Sequence, residues 1–219
     1  TPSSPLVLLR SGGRAPPLFC VHPVGGGVGC YRELADLLIA ERPIYGLQSP
    51  ALDGAAPAGS LPEMAATLLA ALRGVQPRGP YFLAGWSLGG VLAYEIAQQL
   101  TLAGEKVALL ALIDSYPPAL LCQLAAADGA MADDPVSRLR LAFTQDLVAV
   151  AGPGATIPAE HSEQLFQIFQ AHVEALESYM PAAYAGPLTL FSCTGSESAE
   201  QIRAWGGLAQ GGLSVKELP

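Results

Sequence analysis

Apolar positions along this chain change their period several times, and each change marks an element. A short apolar run at 18–22 gives way to a helical pattern from about 30 to 40 ("CYRELADLLIA") and then to a strand pattern at 43–48. A helix is predicted over 61–74, where Leu61, Met64, Ala65, Leu68, Leu69 and Leu72 recur at spacings of three and four and so share one face. The pattern then predicts a strand at 80–85, a helix at 89–103 and a strand at 107–113 ("VALLALI"). Strands alternating with amphipathic helices imply right-handed crossovers and a mostly parallel sheet covered on both faces, an α/β architecture.

The next strand pattern, "PLTLFSC" at 187–193, comes far later than one crossover helix requires. The intervening chain holds two helical patterns, 137–152 and 160–180, and reads as a helical insertion, a lid over the strand ends. A plain helical extension packed on the sheet is the alternative. Before the first strand, residues 1–17 ("TPSSPLVLLRSGGRAPP") are rich in Pro, Gly and Ser and read as a linker, with the folded part starting at Leu18.

Composition narrows the function classes. The chain has 219 residues, enough for one domain that buries roughly 70% of the surface its unfolded form exposes. Although 51% of residues are hydrophobic, "VALLALI" is the longest unbroken apolar run, far short of the roughly 20 residues that cross a bilayer. A soluble protein without a membrane partner is expected. The net charge of −8, with no cluster of Lys or Arg, argues against nucleic acid as a partner. Cys20, Cys30, Cys122 and Cys193 lie far apart, with no C-x-x-C and no histidine at metal spacing. They are expected to be small buried hydrophobes in a reducing cytoplasm, with no metal site.

The candidate chemistry sits at "GWSLGG", residues 85–90, between a buried strand pattern and a helix pattern. In a G-x-S-x-G turn, Gly85 and Gly89 allow a sharp bend that lifts the Ser87 hydroxyl clear of the sheet as a nucleophile. An ordinary helix-cap serine is the plainer reading of the same residue. Attack on an acyl carbon creates an oxyanion that needs two preset donors. The backbone N–H of Leu88 is the first candidate, and that of Val24, in the loop "HPVGGG" at 22–27, is the second. That loop lacks the G-K-[ST] ending of a phosphate cradle. Asp114 closes the strand "VALLALI" one crossover beyond Ser87, where a carboxylate could orient an imidazole. A turn-forming role is the alternative for it.

Taken together, "PPLFCVHPVGGG", "GWSLGGVLAYEIAQQL" and "LLALIDSYPP" resemble the terminal thioesterase domains of nonribosomal peptide synthetases and related polyketide assembly lines. The resemblance runs from Leu18 to Leu218 and includes "YMPAAYAGPLTLFSC", where such domains return from lid to sheet. It implies an α/β-hydrolase fold over 18–219 with a helical lid at about 116–185. It also implies an acyl chain delivered as a thioester on the phosphopantetheine arm of a carrier protein, fused upstream, and no cofactor bound by the domain itself. The acyl group would pass to Ser87, then to water or to a nucleophile of its own chain, giving a free acid or a ring.

In this family the catalytic histidine follows the last strand, after sequence of the kind seen here as "LSVKELP". The printed chain ends at Pro219, so the base is expected just beyond it and the chain as printed is expected to be impaired. Of the histidines present, His22 is expected to shape the loop backbone, His172 to pack among Leu165, Ile168, Phe169, Leu176 and Tyr179, and His161 to be solvated. Two other functions fit the same motifs: a free-standing editing thioesterase, and a non-catalytic module that binds an acyl chain or carrier.

Overall fold

A computed structural model describes residues 4–38, 41–127, 134–151, 159–193 and 198–218. Its strands are β1 (Leu6–Arg10), β2 (Leu18–Val21), β3 (Ile44–Leu47), β4 (Tyr81–Trp86), β5 (Val107–Ile113), β6 (Leu188–Cys193) and β7 (Leu213–Leu218). They form one sheet in the order β1-β3-β2-β4-β5-β6-β7, parallel throughout except for β1, which runs antiparallel to β3. The helices are α1 (Arg32–Leu37), α2 (Leu61–Val75), α3 (Leu88–Leu102), α4 (Pro118–Ala127), α5 (Pro135–Ala151), α6 (Ala159–Glu177) and α7 (Ser198–Leu208).

β1 corrects the reading of 1–17 as a linker. Leu6 to Arg10 pair with Ile44 to Leu47 along the sheet edge, so the Pro- and Gly-rich flanks bound a strand whose partner lies some forty residues away. Two other elements were not anticipated. α4 is apolar on most of its positions and so has no period to read, and α7 carries two glycines near its end. The region expected to form a lid contains α4, α5 and α6.

Local rules account for the elements nearest the site. The Ser60 hydroxyl caps α2 by accepting from the Glu63 N–H at 3.4 Å, Pro62 fits the first turn, and the face predicted from spacing is buried. Each fully buried leucine of that face contributes about 1.5–3 kcal/mol. α3 is buried on nearly all sides, since the sheet, α2 and α7 enclose it, and it forms the centre of the larger core with Leu83, Leu110, Leu112, Tyr94 and Trp205. A smaller core of Leu18, Cys20, Tyr31, Ile44, Ala84 and Ala111 covers the opposite face under α1. Phe143 of α5 meets Phe166 and Phe169 of α6 edge-on at 5.5 and 5.6 Å, and the Val24 side chain packs against this third cluster.

The sheet order reverses direction between β2 and β4. β3 lies on one side of β2 and β4 on the other, which creates the crevice at the carboxyl ends of parallel strands where open α/β sheets bind ligands. Cys20 and Cys122 show how far the cysteine expectation holds: Cys20 is buried, whereas Cys122 and Cys193 are exposed, and all four are free thiols. Among the described residues, no helix is long and apolar enough to cross a membrane.

Candidate functional site

β4 ends in a turn that ordinary residues avoid. Ser87 has φ 56° and ψ −127° at the N-cap of α3, one of two non-glycine residues with positive φ among those described. Such a backbone costs on the order of 1–3 kcal/mol and persists only where the surroundings enforce it. Close packing does so here. A Cβ on Gly85 would overlap the Gly89 carbonyl, and a Cβ on Gly89 would collide with the Val21 carbonyl and stand 2.8 Å from the His22 oxygen. The two glycines therefore let the turn close on itself and let α3 start against the end of β2.

The second positive-φ residue is Asp114, at φ 42°. Trp86 pairs with Ile113, so Ser87 and Asp114 are the next residues along two adjacent strands. The ladder continues to both of them: Ser87 N–H donates to Ile113 O at 3.0 Å, and Asp114 N–H donates to Phe191 O at 2.8 Å. Asp114 is half-buried, and burial raises its carboxyl above the usual carboxylate range. Its charge reaches the thiol of Cys193 at the end of β6, which burial and then that charge push up.

The chain after Asp114 is held by α7. The Ser115 carbonyl accepts from Gln201 Nε2 at 2.9 Å and from Trp205 Nε1 at 2.7 Å, and the Ser192 hydroxyl donates to Gln201 Oε1 at 2.6 Å. Gln201, Ser115 and Ser192 are buried. The Ser115 hydroxyl is buried without a hydrogen-bond partner and packs close to Gly90.

Across the crevice, the loop after β2 carries Val24. Gly26, at φ 84°, donates to Pro23 O at 2.9 Å, and its own carbonyl accepts from Ser49 N–H at 2.8 Å. Leu88 is the first residue of α3, so its N–H has no acceptor within the helix. Because Gly89 abuts Val21 and His22, the start of α3 and the root of the Val24 loop meet at one end of the sheet. The four predicted residues, Ser87, Asp114, Val24 and Leu88, thus lie at the carboxyl ends of β2, β4 and β5.

Tyr31 was missed by sequence reasoning, which saw only a residue at the head of a short helix. Its buried hydroxyl accepts from Trp86 N–H at 2.7 Å and donates to Val21 O at 2.6 Å. The phenol is inserted where β2 and β4 part, so it sets the spacing between the turn at Ser87 and the Val24 loop. Tyr31→Phe takes the hydroxyl from the buried Val21 carbonyl and the half-buried Trp86 N–H, each worth about 1–3 kcal/mol when left unpaired. Chemical denaturation is expected to show a loss of roughly 2–4 kcal/mol; a loss below about 0.5 kcal/mol would mean that water replaces the phenol at no cost.

The histidines are engaged elsewhere. His22 is buried, its Nδ1–H donates to Pro23 O at 2.8 Å, and burial, then the neighbouring His172, push its pKa down to about 3. His172 of α6 is also buried, and burial lowers its pKa despite an opposing bond to Val24 O. Its Nδ1–H donates to Val24 O at 2.7 Å, and its Nε2 lies 3.2 Å from the Ser49 hydroxyl, which donates to it in the neutral ring. His172 packs as expected, but with polar bonds that the helical face did not reveal. His161 is exposed near the start of α6. Among the described residues no group of three His, Cys, Asp or Glu is placed to hold a metal. A cavity of about 710 Å³ lies between α4, the end of α6 and α7, and none of the four predicted residues lines it.

A strained serine between two obligatory glycines, at a strand-to-helix junction beside a switch point, is an arrangement that comparison with known proteins can place. The family model described as "Thioesterase domain" matches residues 16–211. A dimodular nonribosomal peptide synthase of Bacillus subtilis (strain 168) is 34% identical over 206 residues, which cover 86% of this chain and 9% of that protein. A four-domain nonribosomal peptide synthetase, solved with AMP and glycine, superposes with a TM-score of 0.77 at 30% identity, over 99% of this chain and 18% of that one. The NocB thioesterase domain, solved as a covalent complex with a fluorophosphonate nocardicin G analogue, gives a TM-score of 0.73 at 27% identity, over 94% and 85% of the two chains. The chain therefore spans a small part of the synthetases it matches and most of an isolated domain. With this match over nearly all its length, and with the α/β-hydrolase sheet and serine turn in place, the chain belongs to the thioesterase domain family.

Proposed function

We propose that this domain releases an acyl chain, peptidyl or polyketidyl, from the phosphopantetheine thioester of a carrier protein through an ester on Ser87. The observation that carries this reading is the backbone of Ser87, φ 56° between glycines that admit no Cβ, at the β4–α3 junction. Such a turn exposes a hydroxyl to substrate above the strand ends. In the first half-reaction the Ser87 oxygen attacks the thioester carbonyl while a base takes its proton. The negative oxygen that forms is met by the N–H groups of Val24 and Leu88. The tetrahedral adduct then expels the thiolate, which leaves as the protonated carrier thiol. In the second half-reaction water, or a nucleophile within the acyl chain, attacks the ester and frees Ser87 as acid or ring. The carrier, fused upstream in the parent protein, supplies the pantetheine arm, and the domain itself supplies no cofactor.

The base is proposed to be a histidine in residues that follow Pro219 in the parent protein. His22 and His172 are poor candidates because each commits its Nδ1 proton to a carbonyl and burial opposes the charge a base must accept. The end of β7 favours a base from that direction: Leu218 pairs with Cys193, whose thiol feels the charge of Asp114. A loop leaving β7 there starts at the same end of the sheet as the carboxylate that would orient an imidazole, with β6 between them. This is tested by comparing the 219-residue chain with the full-length protein on an acyl-pantetheine thioester. The longer protein is expected to turn over faster by roughly 10⁴-fold or more, the scale on which triad members act. Equal rates would place the base within the printed residues and refute this assignment.

A further inference from the structure

We infer that His172 is a positioning residue which ties helix α6 of the lid to the Val24 loop, so that the seating of α6 sets the geometry of the oxyanion donor. This deepens the proposed function and rests on its assignment of Val24. The tie has two strands. His172 Nδ1–H donates to the Val24 carbonyl at 2.7 Å, which anchors the donor residue from its carbonyl side. His172 Nε2 accepts from the Ser49 hydroxyl at 3.2 Å, while Ser49 N–H donates to the Gly26 carbonyl at 2.8 Å, two residues further along the same loop. One imidazole thus holds the loop directly at Val24 and, through Ser49, at Gly26.

Packing reinforces the polar tie. The His22 ring stacks on His172 with centroids 5.1 Å apart. A Cβ on Gly26 would stand 3.0 Å from Ser49 Cβ, 3.4 Å from His172 Cε1 and 3.6 Å from an Ile168 methyl, so α6 lies directly against the loop. Val24 itself packs on the Phe143, Phe166 and Phe169 cluster between α5 and α6. A histidine present only to fill space would leave its nitrogens to chance or to its own helix. Here each nitrogen finds a partner outside α6, one on the catalytic loop and one on its brace.

Four variants of the full-length protein test the tie, with Ser87→Ala as the reference for the site. His172→Phe keeps the ring volume and removes both bonds. It is expected to lower kcat roughly 30-fold, less than the roughly 10²–10³-fold of losing an oxyanion donor outright, with KM within about twofold. His172→Asn presents an amide N–H near the position of Nδ1 and is expected to recover kcat to within about threefold of wild type. His172→Gln places its amide nearer the position of Nε2 and is expected to stay as slow as His172→Phe. Ile168→Ala loosens the packing that supports the tie but leaves both hydrogen bonds in place, so it is expected to lower Tm and to cost less in kcat than His172→Phe, about threefold. A folded His172→Phe with wild-type kcat overturns the tie. Should that variant not fold, equal kcat for Asn and Gln overturns it instead. Activity surviving Ser87→Ala would overturn the reading of the site itself, whatever the His172 series shows.

Discussion

Ser87→Ala in the full-length protein should abolish thioester turnover, with a fall of roughly 10⁴–10⁶-fold that leaves only background hydrolysis. The size follows from the proposed role: without the hydroxyl no acyl ester forms, and the proposed donors at Val24 and Leu88 have no covalent intermediate to stabilise. Fold stability should change by less than about 0.5 kcal/mol, because alanine must adopt the same strained φ of 56° and the hydroxyl caps no hydrogen bond of α3. The pairing of a large kinetic loss with a small stability change separates a nucleophile from a helix-cap serine. A cap would show the reverse, a loss of about 1 kcal/mol of stability and turnover intact. Rates and urea midpoints measured on the same preparation decide between them.

Gly89→Ala should have the second largest effect, and for the opposite reason, since it removes nothing. The added methyl would enter the Val21 carbonyl and lie 2.8 Å from the His22 oxygen and 3.1 Å from the His22 carbonyl carbon. None of these atoms can turn away. Val21 O is held by Tyr31, and His22 N–H donates to Leu47 O at 3.0 Å. Helix α3 must move instead, and it carries Leu88 away from the loop of Val24. Overpacking of this kind costs about 1–3 kcal/mol, and displacing reacting groups by about 1 Å costs about 10²-fold in rate. The expected result is a lower Tm together with at least a roughly 10²-fold loss of turnover. Gly27→Ala is the control, because a Cβ there meets nothing within 4 Å. Wild-type behaviour of Gly89→Ala would show that β2 and α3 do not meet as closely as described.

Much of the fold near the site could be read from the sequence because local signals and tertiary needs coincide there. β2 and β5 are short apolar runs with no polar face, as central parallel strands must be, and α2 shows its buried stripe and its Ser60 cap in plain order. Ser87 and Asp114 stood out because each follows such a strand directly, where the chain emerges from the sheet. What escaped depended on distant partners. β1 is a strand only because β3 offers it an edge, and α4 is apolar on most of its positions, so its sequence shows no amphipathic period. Tyr31 acts 55 residues from Trp86, and His172 acts 148 residues from Val24. No pattern along α6 distinguishes an imidazole that packs from one that also braces a loop.

The central claim is that an acyl group rests on the oxygen of Ser87. Its most direct test is to treat the full-length protein with a fluorophosphonate that mimics the acyl thioester, digest it and locate the added mass by tandem mass spectrometry. A single adduct on the peptide carrying Ser87, absent after Ser87→Ala, is the predicted result. An adduct at any other residue, or unmodified Ser87 in protein whose turnover has been blocked by the reagent, would contradict it.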